Sequence, residues 1–426
     1  MASSPQHPHG TFDRPRLLLV TIRASLVSMM LLTGACQTTA PVAPPQQPDV
    51  SPIPAPPVTP KPAPAPAKPA PAASAPRFKE VTWAELPGWN SDPLDALWPA
   101  WLRSCEAMKN QAAWRDACGV AMQMPRPDAV TVRRFFETST TPYRIVDDSG
   151  NDEGLATGYY EPLLRGSRKP STRFRYPVYG VPEDLLVIDI AGLYPELKGM
   201  RLRGRLDGKR VVPYFDRSQI ENGQAPVKGR EIAWVDDPVE LFFLQIQGSG
   251  RIWISEHETL RVGYADQNGH PYRSIGRWLV DRGELPLERA SMQGIKAWAK
   301  ANPARLQELL NHNSSYVFFR QLPANLPGPL GALGVPLTAE RSIAIDPRYI
   351  PLGAPVYLSA TWPNTTRPLN RLMVAQDTGG AIRGAVRADY FWGFGNEAGE
   401  QAGRMKQPLR LWLLYPRGET PPVASN

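Results

Sequence analysis

The chain has 426 residues, enough for two or three domains, or for one large domain with a linker. Its hydrophobic share of 42% is ordinary for a globular protein, but the 48 prolines far exceed average usage and are unevenly placed, which excludes a chain that is globular throughout. The net charge of +8 suits an anionic partner such as nucleic acid, a membrane or an acidic polymer. The absence of an RNA-binding motif, a zinc finger or a Lys/Arg-rich run removes nucleic acid as the expected one.

In chain order, the first element is a targeting segment over residues 1–35. Arg14, Arg16 and Arg23 precede an apolar stretch from Leu26 to Leu32 that is too short to span a membrane, and small residues then lead to Cys36. Leu-Thr-Gly-Ala-Cys resembles a bacterial lipobox, with Thr33 where Leu is usual. The resemblance implies that Cys36 is acylated. Gln37 after it implies sorting to the outer membrane of a Gram-negative bacterium, facing the periplasm. An ordinary signal peptide or a short anchor is the alternative. Residues 36–77, almost all Pro, Ala, Lys, Val, Ser and Gln after the cysteine, cannot bury apolar surface. Extended at about 3.1 Å per residue they form a tether on the order of 100 Å long. Cys105 and Cys118 are the remaining cysteines. In an oxidising compartment they can pair, closing a loop worth about 3 kcal/mol; two buried thiols are the alternative.

From Phe78 to about Pro416 the composition is globular. Residues 92–122 read as helical, with Leu94, Leu97, Trp98 and Trp101 on one face. Residues 154–262 have short apolar runs broken by Gly and Pro, which predicts β structure. Within them Gln245, Gln247 and Ser249 alternate as on a strand leading to a glycine turn, and so would share one face. One helix is predicted over about 290–300. A second has Asn302 as N-cap, Pro303 in first position and Leu306, Leu309 and Leu310 on one face. Strands return at Ser342–Ile345, Ala354–Leu358, Leu372–Gln376 and Leu409–Leu414, and residues 417–426 read as a disordered tail.

Three late segments carry candidate chemistry: Arg341-Ser-Ile-Ala-Ile-Asp346-Pro, Met373-Val-Ala-Gln-Asp377-Thr-Gly-Gly, and Ala385-Val-Arg-Ala-Asp389-Tyr-Phe-Trp. Each places an aspartate at a strand end or beside a turn. Asp389 precedes Tyr390, Phe391 and Trp392, and a carboxyl against aromatic surface loses solvation, so its pKa should rise. A carboxyl kept protonated near neutral pH can donate a proton to a glycosidic oxygen. By spacing alone such aspartates are usually turn residues.

The three aspartates resemble those of the three-aspartate double-psi β-barrel module of cell-wall-active proteins. Upstream segments sharpen the match: Gly158-Tyr-Tyr-Glu-Pro162, Phe243-Leu-Gln-Ile-Gln-Gly-Ser-Gly250, the run from Gly263 to Gly276, Ser315-Tyr-Val-Phe-Phe-Arg320 and the run from Gly395 to Gly403. Together they resemble the membrane-bound lytic murein transglycosylase A family over nearly all of residues 78–416. The resemblance implies a mainly β protein with flanking helices, in which a six-stranded double-psi barrel is assembled from residues 78–163 and 323–416. A smaller β-rich domain over 164–322 is inserted between them, and the glycan strand lies in the groove between the two. It implies cleavage of the β-1,4 bond between N-acetylmuramic acid and N-acetylglucosamine by a lyase-type exotransglycosylase, leaving 1,6-anhydromuramoyl ends. The catalytic aspartate maps onto Asp389. One carboxyl is enough, because the sugar's own 6-hydroxyl can replace water as the attacking group. Asp377 is the expected partner whose charge helps keep Asp389 protonated, or else a strand-end aspartate bonded to backbone amides. Asp346 is expected to shape a turn.

Tyr159, Tyr160 and Glu161 are candidates for lining the sugar groove, with the core as the alternative for the tyrosines, and Glu161 is the main competitor for the acid role. Gln245, Gln247 and Ser249 suit N-acetyl and hydroxyl groups. His257, His270 and His312 have no metal-ligand spacing, and no Gly-x-Ser-x-Gly or P-loop is present, so neither metal nor cofactor is expected. The expected partners are peptidoglycan glycan strands and the outer membrane through the lipid, with cell-wall synthesis or hydrolysis complexes as candidate protein partners. A hydrolytic glycosidase on the same barrel and a non-catalytic peptidoglycan-binding lipoprotein are the competing readings.

Overall fold

A computed structural model of the chain describes residues 77–197, 200 and 202–422. Cys36, the segment before it and the tether up to residue 76 lie outside the described residues. The first described strand, β1 (Arg77–Glu80), is followed by α1 (Trp98–Ala107), α2 (Arg115–Met122) and α3 (Ala129–Ser139), then β2 (Thr140–Val146) and β3 (Gly154–Glu161). The helical reading of 92–122 therefore resolves into two helices. The polar run Lys109-Asn110-Gln111 supplies no apolar residue to continue the buried face of α1, and the chain turns there. A disulfide between Cys105 and Cys118 ties α2 back to α1. Helix α3 starts where Asp128 accepts the Thr131 amide at 2.7 Å, an N-cap bond.

The inserted part begins with β4 (Leu163–Ser167), β5 (Tyr176–Tyr179), β6 (Leu186–Val187), β7 (Arg203–Asp207) and β8 (Arg210–Pro213). It continues through α4 (Arg217–Glu221), β9 (Glu231–Val235), α5 (Pro238–Gln247), β10 (Ser249–Ser255) and β11 (Glu258–Gln267). It ends with α6 (Ile275–Asp281), α7 (Met292–Ala301), α8 (Leu306–Asn311) and β12 (Val317–Leu322). Six strands form one sheet in the order β12-β11-β10-β4-β9-β5, and β6, β7 and β8 form a second. Helices α5 to α8 bury Phe242, Phe243, Leu279, Trp298 and Leu310 in a core of their own.

Two expectations change here. The second predicted helix opens as a 3₁₀ turn at Pro303–Arg305, with Leu306 starting α8. The Asn302 side chain donates back to the Trp298 carbonyl at 2.9 Å and leaves the new helix uncapped. More consequential, Gln245 and Gln247 lie on helix α5 and not on a strand. Asp237 caps its start by accepting the Val239 and Glu240 amides, Pro238 pre-sets the first turn, and Gly248 ends it in the left-handed conformation at φ 74°.

The chain returns as β13 (Ser342–Ile345), β14 (Pro355–Thr361), β15 (Pro368–Thr378), β16 (Arg387–Phe394), α9 (Gly395–Arg404) and β17 (Lys406–Pro416). These five strands and β3 close into a barrel in the order β3-β17-β14-β15-β13-β16, with β16 pairing back onto β3. The mainly β architecture with a six-stranded barrel is thus present. Leu411 to Leu414 on β17 are all buried, without the alternation of a one-sided strand. One face fills the barrel and the other lies under the N-terminal helices, in a core shared with Trp101, Phe136 and Leu358. Arg341, 2% exposed, grips Asp92 with both terminal nitrogens at 3.0 and 2.8 Å, and Asp92 also accepts the Leu372 amide. This buried pair bolts the N-terminal segment to the barrel.

Candidate active site

Strand register places the two later aspartates. On one face of the barrel, Ala344 of β13 stands opposite Asp377 of β15 on one side and Asp389 of β16 on the other. Asp389 in turn stands opposite Thr157 of β3. The row Asp377, Ala344, Asp389, Thr157 therefore crosses four strands, with the smallest side chain between the two carboxyls. Phe391 and Tyr159, two residues further along their strands, pack at 5.1 Å between ring centroids and wall one side of the row. The aromatic run after Asp389 therefore splits. Phe391 shares its face, while Tyr390 and Trp392 point into the main core.

Burial pushes the Asp389 carboxyl above its ordinary range, and the Thr157 hydroxyl and the Arg387 charge pull partly against it. Thr157 Oγ1 donates to Asp389 Oδ1 at 2.5 Å. Arg387 Nη2 donates to the same Oγ1 at 2.8 Å. An arginine only donates, so the threonine accepts from it and turns its own proton toward Asp389. Asp389 Oδ1 is then the fixed acceptor and Oδ2 is the oxygen free to carry a proton. Sequence reasoning missed Thr157 and Arg387. Arg387, two residues before Asp389 on the same strand face, could have been found from that spacing, whereas no local signal marks Thr157, which meets Asp389 across 232 positions.

Asp377 Oδ1 accepts the Ala332 and Thr378 amides, both at 2.9 Å. Its carboxyl is pushed up to about 6, by burial first and with a contribution from the Asp389 charge, against the pull of those amides. The Tyr159 hydroxyl sits close enough to have its own pKa raised, by burial and then by both aspartates, although it falls short of hydrogen-bond geometry. Asp346 stands apart from this row. It accepts from Arg348 at 2.6 and 3.0 Å and from the Gly384 amide at 2.9 Å, which pins the loop between β15 and β16. Burial would raise its pKa, but those bonds outweigh it and hold the carboxyl below the ordinary range.

A cleft of about 520 Å³ is walled by Asp377 and Gly379 on the barrel side and by Gln245, Gln247, Ser249 and Arg217 on the inserted side. The geometry corrects several expectations. Glu161 is 1% exposed and held by Arg251 at 2.8 Å and Arg261 at 3.2 Å, so it joins β3 to β10 and β11 and is not a groove acid. Tyr160 belongs to the main core, against Gly399 of α9, and does not line the cleft. Gln245 is 4% exposed, and its Oε1 accepts from the buried Arg217 at 2.6 Å. Among the described residues no group of His, Cys, Asp and Glu could hold a metal ion.

Comparison with known proteins adds to this geometry. A family model described as the MltA specific insert domain matches residues 155–320, and one described as the 3D domain matches residues 341–415. The membrane-bound lytic murein transglycosylase A of Escherichia coli strain K12 is 34% identical over 287 residues, which is 66% of this chain and 69% of that protein. The crystal structure of MltA from Neisseria gonorrhoeae in its monoclinic form matches with a TM-score of 0.71 at 40% identity, over 82% of this chain and 98% of that one. The structure of E. coli MltA with bound chitohexaose matches with a TM-score of 0.61 at 27% identity, over 82% of this chain and 96% of that one.

Proposed function

From the premise that this chain belongs to the membrane-bound lytic murein transglycosylase A family, we propose that Asp389 alone performs its acid and base steps. The protein is a lytic transglycosylase, a lyase acting on peptidoglycan. With the glycan in the cleft, the Asp389 carboxyl gives its proton to the oxygen of the β-1,4 bond between N-acetylmuramic acid and N-acetylglucosamine. The bond from C1 of the muramyl sugar to that oxygen breaks. The muramyl 6-hydroxyl then attacks C1 and passes its proton to the Asp389 carboxylate. The products are a 1,6-anhydromuramoyl end and a free 4-hydroxyl, the carboxyl is regenerated, and no water is consumed.

A group that acts first as acid and then as base must be protonated at the start and stable as an anion midway. Burial provides the first condition, and the Thr157 hydroxyl backed by Arg387 provides the second. That chain of two bonds on one carboxyl is the observation that carries the assignment. Asp377, two strands away across β13, has its own carboxyl raised in part by the Asp389 charge, so the two carboxyls resist being ionised together. A second reading gives the proton donation to Asp377, because it lines the cleft directly and its carboxyl stands at about 6. Turnover of peptidoglycan by Asp389→Asn and Asp377→Asn decides between them. The account requires Asp389→Asn to be inactive and Asp377→Asn to keep measurable activity. The reverse pattern would transfer the role.

For placement in the cell, this reading takes Cys36 as a lipidated residue in the outer membrane and residues 36–77 as the tether that lets the barrel reach the wall. Among the described residues no helix is long and apolar enough to cross a membrane. Wall-synthesis or wall-hydrolysis complexes are the protein partners that such a position brings within reach.

A further inference from the structure

The small sheet of β6, β7 and β8 is turned inside out. On one face, two arginines of β7 are engaged by the rest of the inserted part. Arg203 Nε donates to Asp266 of β11 at 2.8 Å, and the Arg205 guanidinium lies 4.4 Å from the Phe215 ring centroid. Side chains alternate along a strand, so Gly204 and Leu206 share the opposite face. Residues directly opposite in a ladder share a face too. Leu206 stands opposite Val211 of β8, and Gly204 stands opposite Leu186 of β6 and Pro213 of β8, so this outer face is apolar. Neighbouring side chains close over Gly204: an added Cβ would meet Val211 Cγ1 at 2.9 Å and Ile188 Cδ1 at 3.0 Å. Leu206 is nonetheless 61% exposed and Val211 53%. The loop from β6 to β7 adds Ile190, Leu193, Tyr194 and Met200, all exposed, with Leu193 at 81%. A concentration of exposed apolar side chains of this kind marks an interaction surface. The same stretch is basic: residues 186–213 hold six Lys or Arg against three Asp or Glu.

We propose that this face docks on an anionic lipid bilayer, with Leu193, Leu206 and Val211 entering the boundary between headgroups and acyl chains. The aliphatic side chains supply apolar area, and Tyr194 suits the headgroup level, where its ring is buried and its hydroxyl stays wet. Charge decides for this occupant. Lys209 and Arg210, at the turn from β7 to β8, stand beside the apolar pair and meet lipid phosphates. The ion pair of Arg210 with Asp207 is exposed on both sides and weak, so Arg210 stays available. A second copy of this chain would set one net positive face against another, and a glycan strand has no acyl chains to receive the leucines. The Arg203–Asp266 pair ties the sheet to β11, whose Ala265 and Gln267 line the cleft. A docked sheet therefore fixes the direction of the cleft relative to the bilayer. The surface acts apart from Cys36: acyl chains there would retain the protein, and the sheet orients it.

The test measures how the full chain carrying Cys36→Ser, which has no thiol there to acylate, partitions onto two kinds of vesicle. One holds phosphatidylethanolamine and phosphatidylglycerol in equal parts, and the other holds phosphatidylcholine alone. Residues 1–35 are common to every protein compared, so differences among variants read the sheet. Leu206→Ser with Val211→Thr, and separately Leu193→Ser with Tyr194→Ser, should each weaken binding to the anionic vesicles at least about tenfold, since each removes the apolar area of two side chains. Lys209→Gln with Arg210→Gln should weaken it about tenfold at low salt and leave binding to phosphatidylcholine unchanged. If the strand variant does not fold, the loop variant, which lies outside the sheet, and the charge variant decide alone. A parent protein that binds neither vesicle, or variants that all bind as the parent does, would overturn the proposal. So would a dimer in lipid-free sedimentation that Leu206→Ser with Val211→Thr dissociates, because the face would then belong to a second copy.

Discussion

Replacing Asp377 by asparagine should make the protein more stable at alkaline pH while leaving it equally stable near pH 4. Raising the Asp377 carboxyl from its ordinary 3.8 to about 6 makes ionisation in the folded state cost roughly 3 kcal/mol. Contact with cleft solvent trims the expected gain to about 1–3 kcal/mol. Because the folded-state pKa is raised, the folded protein holds its proton over a range in which the unfolded chain has lost it. Stability from this group is complete below about pH 4 and is lost as pH rises to about 6. Above that the loss is constant. Asparagine keeps a carbonyl oxygen for the Ala332 and Thr378 amides but carries no charge. Urea unfolding of both proteins at pH 4 and pH 8 measures the effect. A variant that is no more stable than wild type at pH 8 would refute the reasoning, because it would mean that the Asp377 charge is already solvated or paired.

Other substitutions test separate parts of the account. Thr157→Val removes a bond that lowers the Asp389 pKa, so the pH profile of kcat should move upward and kcat should fall about tenfold, the cost of one charged-group hydrogen bond. Thr157→Ser should restore both, and an unshifted profile would remove Thr157 from the mechanism. Arg341→Met leaves Asp92 buried without its partner and should destabilise the protein by about 3–5 kcal/mol in denaturant titration. A loss below about 1 kcal/mol would fit only a solvated pair. Glu161→Gln, which weakens the tie to Arg251 and Arg261, should lower the melting temperature and leave the pH profile of the folded enzyme unchanged. A displaced acid limb would return Glu161 to the chemistry.

The parts of the site legible in the sequence are those with local markers. Asp377 is followed by Gly379-Gly380, and Asp389 by an aromatic run, so both could be singled out before their neighbours were known. Contacts made by tertiary pairing left no such trace. Thr157 is one more β-branched residue on a strand, and only the parallel register of β3 with β16 brings it to Asp389. Glu161 sits beside two tyrosines in a promising motif, but the arginines that neutralise it come from strands 90 and 100 positions away. The segment Leu244-Gln245-Ile246-Gln247 shows how a local pattern can mislead. Its alternation of apolar and polar residues matches a strand, yet α5 is buried on nearly all sides and shows no amphipathic period to oppose that reading. The cues that settle it are at the ends, Asp237-Pro238 before it and Gly248 after it. The barrel strands were easier because continuous apolar runs such as Leu411 to Leu414 fit a strand buried on both faces.

The most direct test of the central claim is mass spectrometry of peptidoglycan fragments released in ¹⁸O-labelled water by the wild-type protein and by Asp389→Asn. The account predicts anhydro-ended muropeptides lighter than the corresponding reducing-end products by one water, carrying no label, and absent from the Asp389→Asn digest. Labelled reducing ends would mean that water attacks and that a second carboxyl activates it. Unlabelled anhydro ends formed equally well by Asp389→Asn would show that another group carries the proton.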